Sequence, residues 1–137
     1  MLRGHRVKFV VIGATAFPVH GYSRATLDVD LFIQPDADNA KRVWQALTAF
    51  GYDMTDVTVQ DLLTKKVLIR QYAVETDIHP FVAGVTFDQV WKRAVRGRLG
   101  RVTVPFASLD DLIRMKRVAG RAKDREDLRY LLRLTRR

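Results

Sequence analysis

The sequence predicts an α/β (α+β) fold in which a small mixed sheet is flanked by helices and followed by C-terminal helices. Short apolar runs rich in β-branched residues alternate with segments whose apolar residues recur every three or four positions. The last third of the chain shows two helical patterns in succession. Because 137 residues suit one domain, we expect a single domain over 1–137, with a core at about 7–105 and a helical part at about 108–137.

The first predicted strand covers residues 7–12, an apolar run that ends at Gly13. A short helix is predicted over 14–20. Pro18 and Gly21 limit this helix, because proline has no backbone N–H to donate and glycine favours helix ends. The chain therefore opens with a strand, a turn of small residues and a short helix.

The remaining elements follow from the same two periodicities. A strand at 28–33 is followed by a helix at 35–50, for which Gly51 fits the C-terminal cap. Further along we predict strands at 67–72, 73–79 and 101–104, a helix at 87–95, a helix that begins at Ser108, and a last helix at 123–134. Trp44 and Trp91 lie on apolar helix faces, which favours core packing over base stacking.

Composition and charge narrow the function classes. The chain has 24 Lys and Arg against 15 Asp and Glu, a formal net charge of +9, and arginines concentrate in its last third. This charge favours a polyanionic partner such as nucleic acid or nucleotide phosphates, although a solvated helical surface has the same composition. The absence of cysteine excludes disulfides, zinc–thiolate sites and thiol nucleophiles, and favours a cytoplasmic location.

Two features bear on targeting and membranes. The basic start and the apolar run at 9–17 faintly resemble a signal peptide, but Lys8 interrupts the region and cleavage would delete the first strand. No run of the sequence approaches the roughly 20 apolar residues of a membrane span. We therefore expect a soluble protein without a membrane partner.

Asp28 and Asp30 are the most informative residues of the chain. Side chains alternate between the faces of a strand, so both carboxylates point the same way while Val29 and Leu31 point into a core. Two like charges repel unless a cation lies between them, and a divalent ion such as Mg²⁺ is the simplest neutraliser. Two solvated aspartates at a strand edge are the alternative interpretation.

A second acidic strand is predicted at 73–79, where one face carries Glu75, Asp77 and His79. Asp77 is the candidate for a third carboxylate of the site, and Glu75 on the same face is the alternative. His79, like His20, lacks the spacing to a second histidine that a metal site would show. We interpret both histidines as turn or packing residues.

The ordered set of motifs resembles the nucleotidyltransferases of the polymerase-beta-like superfamily. There, an apolar residue, a glycine and a glycine or serine precede Asp-x-Asp or Asp-x-Glu by about a dozen residues. Here residues 12–14 read Ile-Gly-Ala and residues 28–30 read Asp-Val-Asp. Segments 20–28 and 112–128 are similar to the minimal AbiEii toxin-like branch, the second through its Lys, Arg and Asp-x-x-Asp. The resemblance covers most of the chain.

The resemblance implies the nucleotidyltransferase fold and a Mg²⁺- or Mn²⁺-dependent transfer of a nucleoside monophosphate from an NTP to a hydroxyl, with release of pyrophosphate. It assigns Asp28, Asp30 and Asp77 as catalytic residues and metal ligands. Glycine lets the backbone approach phosphate closely, and cations neutralise phosphate charge. The residues implied to bind the nucleotide in this way are Gly13, Ala14, Arg24 and Lys116.

One residue departs from the family pattern, because Ala14 stands where glycine or serine is common. Its backbone amide is kept, but the serine hydroxyl and the glycine freedom are lost, so phosphate binding could be weakened or altered. Lys116 could equally lie on a solvated helix face. Asp124 and Asp127 are interpreted as acids that complement the start of a helix rather than as catalytic groups.

Two functions therefore stand side by side. The first is a nucleotidyltransferase that acts on a hydroxyl of an RNA, such as a tRNA, or of a protein, and the resemblance places it in a toxin–antitoxin or phage-defence pair. The second is a catalytically weak or inactive module of the same fold that binds nucleotide, RNA or a partner protein. Loss of metal-dependent turnover on Asp28→Ala or Asp30→Ala would separate them.

Overall fold

A mixed sheet of six strands forms the centre of the computed structural model, which describes residues 2–23, 28–70 and 75–135. Its strands are β1 Phe9–Ile12, β2 Asp28–Ile33, β3 Val67–Ile69, β4 Glu75–His79, β5 Val95–Leu99 and β6 Val102–Phe106. The helices are α1 Ala37–Phe50, α2 Val59–Thr64, α3 Phe87–Arg93, α4 Leu109–Ala119 and α5 Ala122–Leu134. The predicted fold class, a mixed sheet flanked by helices with helices at the C-terminal end, is confirmed.

The strand order is β3-β4-β2-β1-β6-β5. β2 pairs in parallel with β4 and antiparallel with β1, and β1 pairs in parallel with β6. Asp28 is the register partner of Glu75, and Asp30 is the partner of Asp77. Since side chains on a strand alternate with a period of two, the acidic residues of both strands lie on one face of the sheet.

Apolar side chains cover both faces of the central strand. Val10 and Val11 point to opposite faces of β1, and both are fully buried. Phe32 of β2 meets Phe87 of α3 edge to face, with ring centroids 5.4 Å apart. Full burial of a side chain of this kind stabilises a fold by about 1.5–3 kcal/mol, so this packing holds the acidic strands in register.

The predicted helix ends of α1 and α4 are confirmed. The Asp36 side chain accepts a hydrogen bond from the Asn39 amide at 2.8 Å, and Gly51 adopts a left-handed φ of 114° at the C-terminal cap. The Ser108 hydroxyl accepts from the Asp111 amide at 3.1 Å. The two N-terminal caps satisfy backbone donors, and the Gly51 amide donates to carbonyls at the end of α1. Neither set of groups has a partner inside the helix.

The predicted helix at 14–20 is wrong. The chain instead forms two short 3₁₀ turns, Gly13–Ala16 and Pro18–His20. Pro18 cannot donate into a continuous α-helix, and Gly21, with φ 99°, ends the second turn. The result is a compact loop between β1 and the segment that leads to β2.

Two elements were not predicted. α2 is only six residues long, but Thr58 and Asp61 form a reciprocal capping box at its start. β5 begins where the predicted helix at 87–95 was expected to end, and it pairs antiparallel with β6. Its exposed arginines concealed the strand pattern, because β5 lies at the edge of the sheet.

The predicted strands at 67–72 and 73–79 fall partly on residues 71–74, which lie outside the described residues. Their described parts, β3 and β4, pair antiparallel. Within the described ranges, no helix has the length and apolar character needed to traverse a bilayer.

Candidate active site

Two neighbouring parallel strands bring an acidic group together. Asp30 on β2 and Asp77 on β4 are register partners, and His79 lies two residues further along β4 on the same face. The ligand atoms of these three residues all lie within 4.8 Å of one another. The Nε2 atom of His79 is 2.9 Å from Oδ1 of Asp30. Strand pairing alone therefore places two carboxylates and an imidazole around one point.

Asp28 lines the same cleft as this group but does not belong to it. It precedes Asp30 by two residues on the same face of β2, as its spacing predicts. Within the part of the chain that the structure describes, the group with converging ligand atoms is Asp30, Asp77 and His79. A role of Asp28 as a catalytic residue and metal ligand stays a prediction.

Gly13 lies directly against the acidic group. Its φ is +69°, and a Cβ at this position would come within 2.6 Å of Oδ2 of Asp30. The following turn is tied to β2, because the Thr15 hydroxyl donates to the backbone carbonyl of Asp28 at 2.8 Å. Only glycine fits here without strain, so the backbone passes directly beside the Asp30 carboxylate. The approach of Gly13 to a phosphate stays a prediction.

Ala14 lies in the hydrophobic core with 8% of its surface exposed and does not line the acidic cleft. It borders a different cavity of about 420 Å³, whose lining includes Val19, Leu99 and Phe106. The methyl group of Ala14 is thus a packing group. A contribution to nucleotide binding would have to come from its backbone, and that role stays a prediction.

Arg70 binds the acidic residues of β4 from the side of β3. Its Nη1 donates to Oδ1 of Asp77 at 2.7 Å, and its Nε lies 3.3 Å from Oε2 of Glu75. The hydrogen bond to Asp77 is the main cause of the raised pKa of Arg70. Glu75 is far more exposed than Asp77, so Asp77 rather than Glu75 is the carboxylate that joins Asp30.

Lys116 is engaged in a buried ion cluster between α4 and α5. Its Nζ lies 2.9 Å from Oδ1 of Asp124 and 3.2 Å from Oδ2 of Asp127. Asp124 also accepts from Nε of Arg121 at 2.6 Å, and Asp127 accepts from the Tyr22 hydroxyl at 3.1 Å. Asp124 lies in the first turn of α5 and accepts from the Arg121 amide at 3.2 Å, as its interpretation as a helix-start acid predicts. In addition, both aspartates are buried partners of Lys116.

The protonation state of Asp124 follows from two opposed effects. Burial raises the pKa of this carboxyl, but the hydrogen bonds from Arg121 and Lys116 outweigh burial and leave its pKa below the ordinary value. The hydrogen bond to Asp124 in turn raises the pKa of Arg121. Asp124 is thus ionised at neutral pH.

A cleft of about 280 Å³ connects the acidic group with this cluster. The sheet forms one wall, with the carboxylates and Gly13, and the ends of α4 and α5 form the other. The basic side chains that line it are Lys66, Lys116, Arg121 and Lys123. The carboxylates can neutralise a divalent metal ion, and the basic side chains can neutralise the phosphates of a nucleotide.

The donor set of the acidic group suits a divalent ion. Two carboxylates and an imidazole from three residues converge within 4.8 Å, and Asp77 is largely buried. Carboxylates suit Mg²⁺ and Mn²⁺, and an added imidazole is compatible with a first-row transition metal. Asp30, Asp77 and His79 could therefore hold a metal. Of the three carboxylates predicted as ligands, two belong to this set, and His79 was not predicted.

The sequence did not predict two residues of the site, and one residue that it did predict lies in a part of the chain that the structure does not describe. His79 was interpreted as a packing histidine, although its alternation with Asp77 on β4 was the available signal. Arg70 carried no signal, because its contacts depend on the pairing of β3 with β4. Arg24 lies outside the described residues. His20 lies at the end of the 3₁₀ turn Pro18–His20 with its Nε2 2.8 Å from the Ala107 carbonyl, which agrees with its interpretation as a turn or packing residue.

The mixed sheet, the glycine turn against Asp30 and the carboxylate pair on adjacent parallel strands define a nucleotidyltransferase-like protein. The whole chain, residues 1–137, matches the family described as "Nucleotidyl transferase of unknown function (DUF2204)", and the chain belongs to this family. No curated protein matches the sequence. The predicted nucleotidyltransferase family is thereby confirmed, and the AbiEii-like branch stays a prediction.

Proposed function

We propose that this protein is a divalent-metal-dependent nucleotidyltransferase that moves a nucleoside monophosphate from an NTP to a hydroxyl of an RNA or protein acceptor. The observation that carries the proposal is the convergence of Asp30, Asp77 and His79 within 4.8 Å, in a cleft whose opposite wall is cationic. Such an arrangement supplies acidic ligands and phosphate-neutralising groups on the two sides of one substrate.

A divalent ion held by Asp30, Asp77 and His79, either Mg²⁺ or Mn²⁺, would supply positive charge to the triphosphate and lower the pKa of a hydroxyl. Asp28 would add a fourth ligand from the same face of β2. His79 favours Mn²⁺ more than an all-carboxylate site would, because imidazole nitrogen is a softer ligand than a carboxylate oxygen.

Exposed basic residues that line the cleft would bind the triphosphate. Arg121 and Lys123 stand at the start of α5, and Lys66 stands just before β3; all three line the cleft and are exposed. Gly13 would let the backbone approach phosphate without a side chain in the way. Lys116 would act mainly through Asp124 and Asp127, because its ammonium already contacts both carboxylates.

The transfer itself forms one bond and breaks one. The acceptor oxygen bonds to the α-phosphorus while the bond from that phosphorus to the bridging oxygen of the β-phosphate breaks, and pyrophosphate leaves. Asp77 would accept the proton of the acceptor hydroxyl, since it lies beside Asp30 in the cleft. Arg70 would have to give up Oδ1 of Asp77, which it now binds at 2.7 Å, before that oxygen could serve as a base or ligand.

The contact between Arg70 and Asp77 also favours a second candidate function. A cation on Asp77, together with Ala14 where the family pattern has glycine or serine, suits a module that binds nucleotide, RNA or a partner protein without efficient transfer. The two candidates differ in one measurable property. An enzyme loses turnover when Asp30 loses its charge, whereas a module keeps binding its polyanion.

The experiment that tests the proposal offers the purified chain each α-labelled NTP with Mg²⁺ or Mn²⁺ and either total RNA or lysate protein. Asp28→Asn and Asp30→Asn are compared with Asp56→Asn, which changes an exposed loop residue and serves as the matched control. We expect transfer by wild type and control, and a loss of at least about a hundredfold in Asp30→Asn, a size typical of a removed catalytic group.

Transfer that survives in both site variants would contradict the assignment of the site. Metal-dependent NTP binding without transfer to any acceptor would support the binding module instead. Because each labelled nucleotide is tested separately, the same experiment names the base and the acceptor class.

We infer the biological setting from the segment 112–128, whose Lys, Arg and Asp-x-x-Asp pattern is similar to the AbiEii-like branch. A toxin or phage-defence role, with a partner protein that restrains the enzyme, is the corresponding proposal. Growth arrest of a bacterium that expresses the wild-type chain, but not Asp30→Asn at equal abundance, would support it. Unimpaired growth with active enzyme would contradict it.

A further inference from the structure

We propose that the outer face of α5 binds the phosphate backbone of the RNA acceptor and guides it into the cleft. This inference rests on the proposed function, because it names the acceptor and the surface that receives it. The surface is a row of four arginines spaced four residues apart, here called the arginine row: Arg121, Arg125, Arg129 and Arg133.

The arginine row lies on one side of α5 because residues four apart are neighbours on a helix. All four residues are exposed. The opposite side of the helix is buried and carries Asp124, Asp127 and Leu131. With a rise of 1.5 Å per residue, the row extends for about 18 Å in steps of about 6 Å.

The row begins at the candidate active site. Arg121 lines the cleft and is close enough to Asp30 for the carboxylate to contribute to its raised pKa. Lys123, one residue into α5, lines the cleft as well. A strand bound along α5 would therefore be led to the acidic group rather than to a remote surface.

The charge of this face is unfavourable for the helix alone. Arginines at i and i+4 repel each other and destabilise a helix, and the row contains two such pairs within α5, Arg125 with Arg129 and Arg129 with Arg133. No residue that the structure describes forms an ion pair with Arg125 or Arg129. Glu126 is the one acid among the exposed residues of α5. A polyanion laid along the row would relieve this repulsion.

The far end of the row is held in place by aromatic rings. The guanidinium of Arg133 lies 5.4 Å from the ring centroid of Tyr130. Tyr130 stacks on Tyr22 with centroids 4.9 Å apart, and Tyr22 stacks on Phe17 at 5.2 Å. Arg133 is thus positioned before a ligand arrives, which reduces the side-chain entropy lost on binding.

Charge and reaction together identify RNA as the occupant. A continuous row of cations matches a chain of phosphates, and the salt-dependent release of counterions drives such binding. An RNA strand carries both the phosphates for the row and ribose hydroxyls for the transfer. An acidic protein offers hydroxyls without a regular line of charge.

The test measures binding of a labelled single-stranded RNA to the full chain without NTP or metal, across a series of salt concentrations. The triple variant Arg125→Ala/Arg129→Ala/Arg133→Ala leaves the cleft residues intact. Its matched control is Lys41→Ala/Arg42→Ala/Lys92→Ala, which removes the same charge from exposed positions on α1 and α3. Circular dichroism checks that both variants fold.

We expect the row variant to bind RNA about tenfold to a hundredfold more weakly at 0.1 M salt, with a salt slope that is smaller by about 2 for three lost phosphate contacts. The control is expected to keep the wild-type slope. Equal losses in the two variants would overturn the proposal, because net charge rather than the row would then bind the strand. An unchanged row variant would overturn it too.

Competition experiments test the identity of the occupant. A DNA strand of the same sequence, polyglutamate, or vesicles that contain anionic lipid would overturn the assignment to RNA if any of them displaced the labelled RNA as well as RNA does. Failure of the proposed function is distinguishable from failure of this inference. RNA binding is measured without transfer, and transfer to a protein acceptor would survive in the row variant.

Discussion

Replacement of Lys116 by methionine tests whether this lysine is a phosphate ligand or a structural cation. Its ammonium contacts Asp124 at 2.9 Å and Asp127 at 3.2 Å, and only 12% of its side chain is exposed. Methionine has a similar length but no charge, so Lys116→Met would leave two buried carboxylates without their shared cation. We expect the variant to be folded but much less stable than the wild type.

The expected loss of stability in Lys116→Met depends on the hydrogen bonds that each carboxylate keeps in the variant. Removal of one partner from a buried ion pair costs about 3–5 kcal/mol. Asp124 keeps its hydrogen bonds from Arg121, and Asp127 keeps the hydroxyl of Tyr22. The expected loss is therefore at the lower end, about 3 kcal/mol of the free energy of unfolding. For a chain of this size, the corresponding fall in Tm is roughly 10 °C.

Urea unfolding followed by tryptophan fluorescence measures this loss, and NTP binding is measured on the same samples. Lys41→Met is the matched control, because Lys41 is exposed on α1 and does not line the cleft. Its expected change in stability is within about 0.5 kcal/mol. A second substitution, Asp124→Asn, should recover part of the loss in Lys116→Met, because it removes one of the uncompensated charges.

An opposite pattern would show that this interpretation of Lys116 is wrong. If Lys116→Met were as stable as Lys41→Met but bound NTP far more weakly, Lys116 would be a phosphate ligand, as the sequence resemblance implied. Lack of any coupling between Lys116→Met and Asp124→Asn would equally contradict a shared buried cluster.

Three further outcomes are expected. Gly13→Ala should lose about 1–3 kcal/mol of stability in urea unfolding, because the φ of +69° is strained for alanine and the new Cβ would meet Asp30 at 2.6 Å. Calorimetry should show weaker Mn²⁺ binding by this variant, and an unchanged Mn²⁺ affinity would contradict the contact with Asp30. Arg70→Gln should bind Mn²⁺ more tightly by calorimetry, because the cation on Asp77 is removed, whereas weaker binding would mean that Arg70 positions the carboxylate. The free energy of unfolding should fall as the pH drops below about 4, the ordinary pKa range of an unfolded aspartate. The reason is that the pKa of Asp124 is lowered in the folded state, so the unfolded state then binds more protons. In urea titrations at pH 5, 4 and 3, Asp124→Asn should lose less stability than the wild type, and an equal loss would assign the acid sensitivity to other groups.

Local sequence patterns predicted most of the fold because each depends on neighbours along the chain. The β2 strand, the capped helix α1 and the helix that follows Ser108 all combine a clear periodicity with a recognisable end. Predictions failed where local signals were weak or in conflict. Pro18 divides a helical pattern into two turns, and the arginines of β5 belong to an edge strand that is held by its pairing with β6.

In the candidate site, too, some residues could be predicted from local sequence, and others are brought together only by packing. Asp28 and Asp30 share a face through strand periodicity alone, and Asp77 follows from the alternation of the next acidic strand. The place of His79 beside Asp30 depends on the register between β2 and β4, which the sequence does not state. The contacts of Arg70 and Lys116 join residues from different elements, so only packing could show that both cations are already bound by carboxylates.

The sequence by itself therefore determined the class of fold, the acidic motif and the family resemblance, because periodicity and motif spacing are properties of consecutive residues. The tertiary structure decided which groups meet. It joined Asp30, Asp77 and His79, buried Lys116 between two aspartates, and placed Arg121, the first residue of the arginine row, in the wall of the cleft. Those results depend on strand register and helix docking, where interactions between distant residues, rather than local preference, choose the neighbours of each side chain.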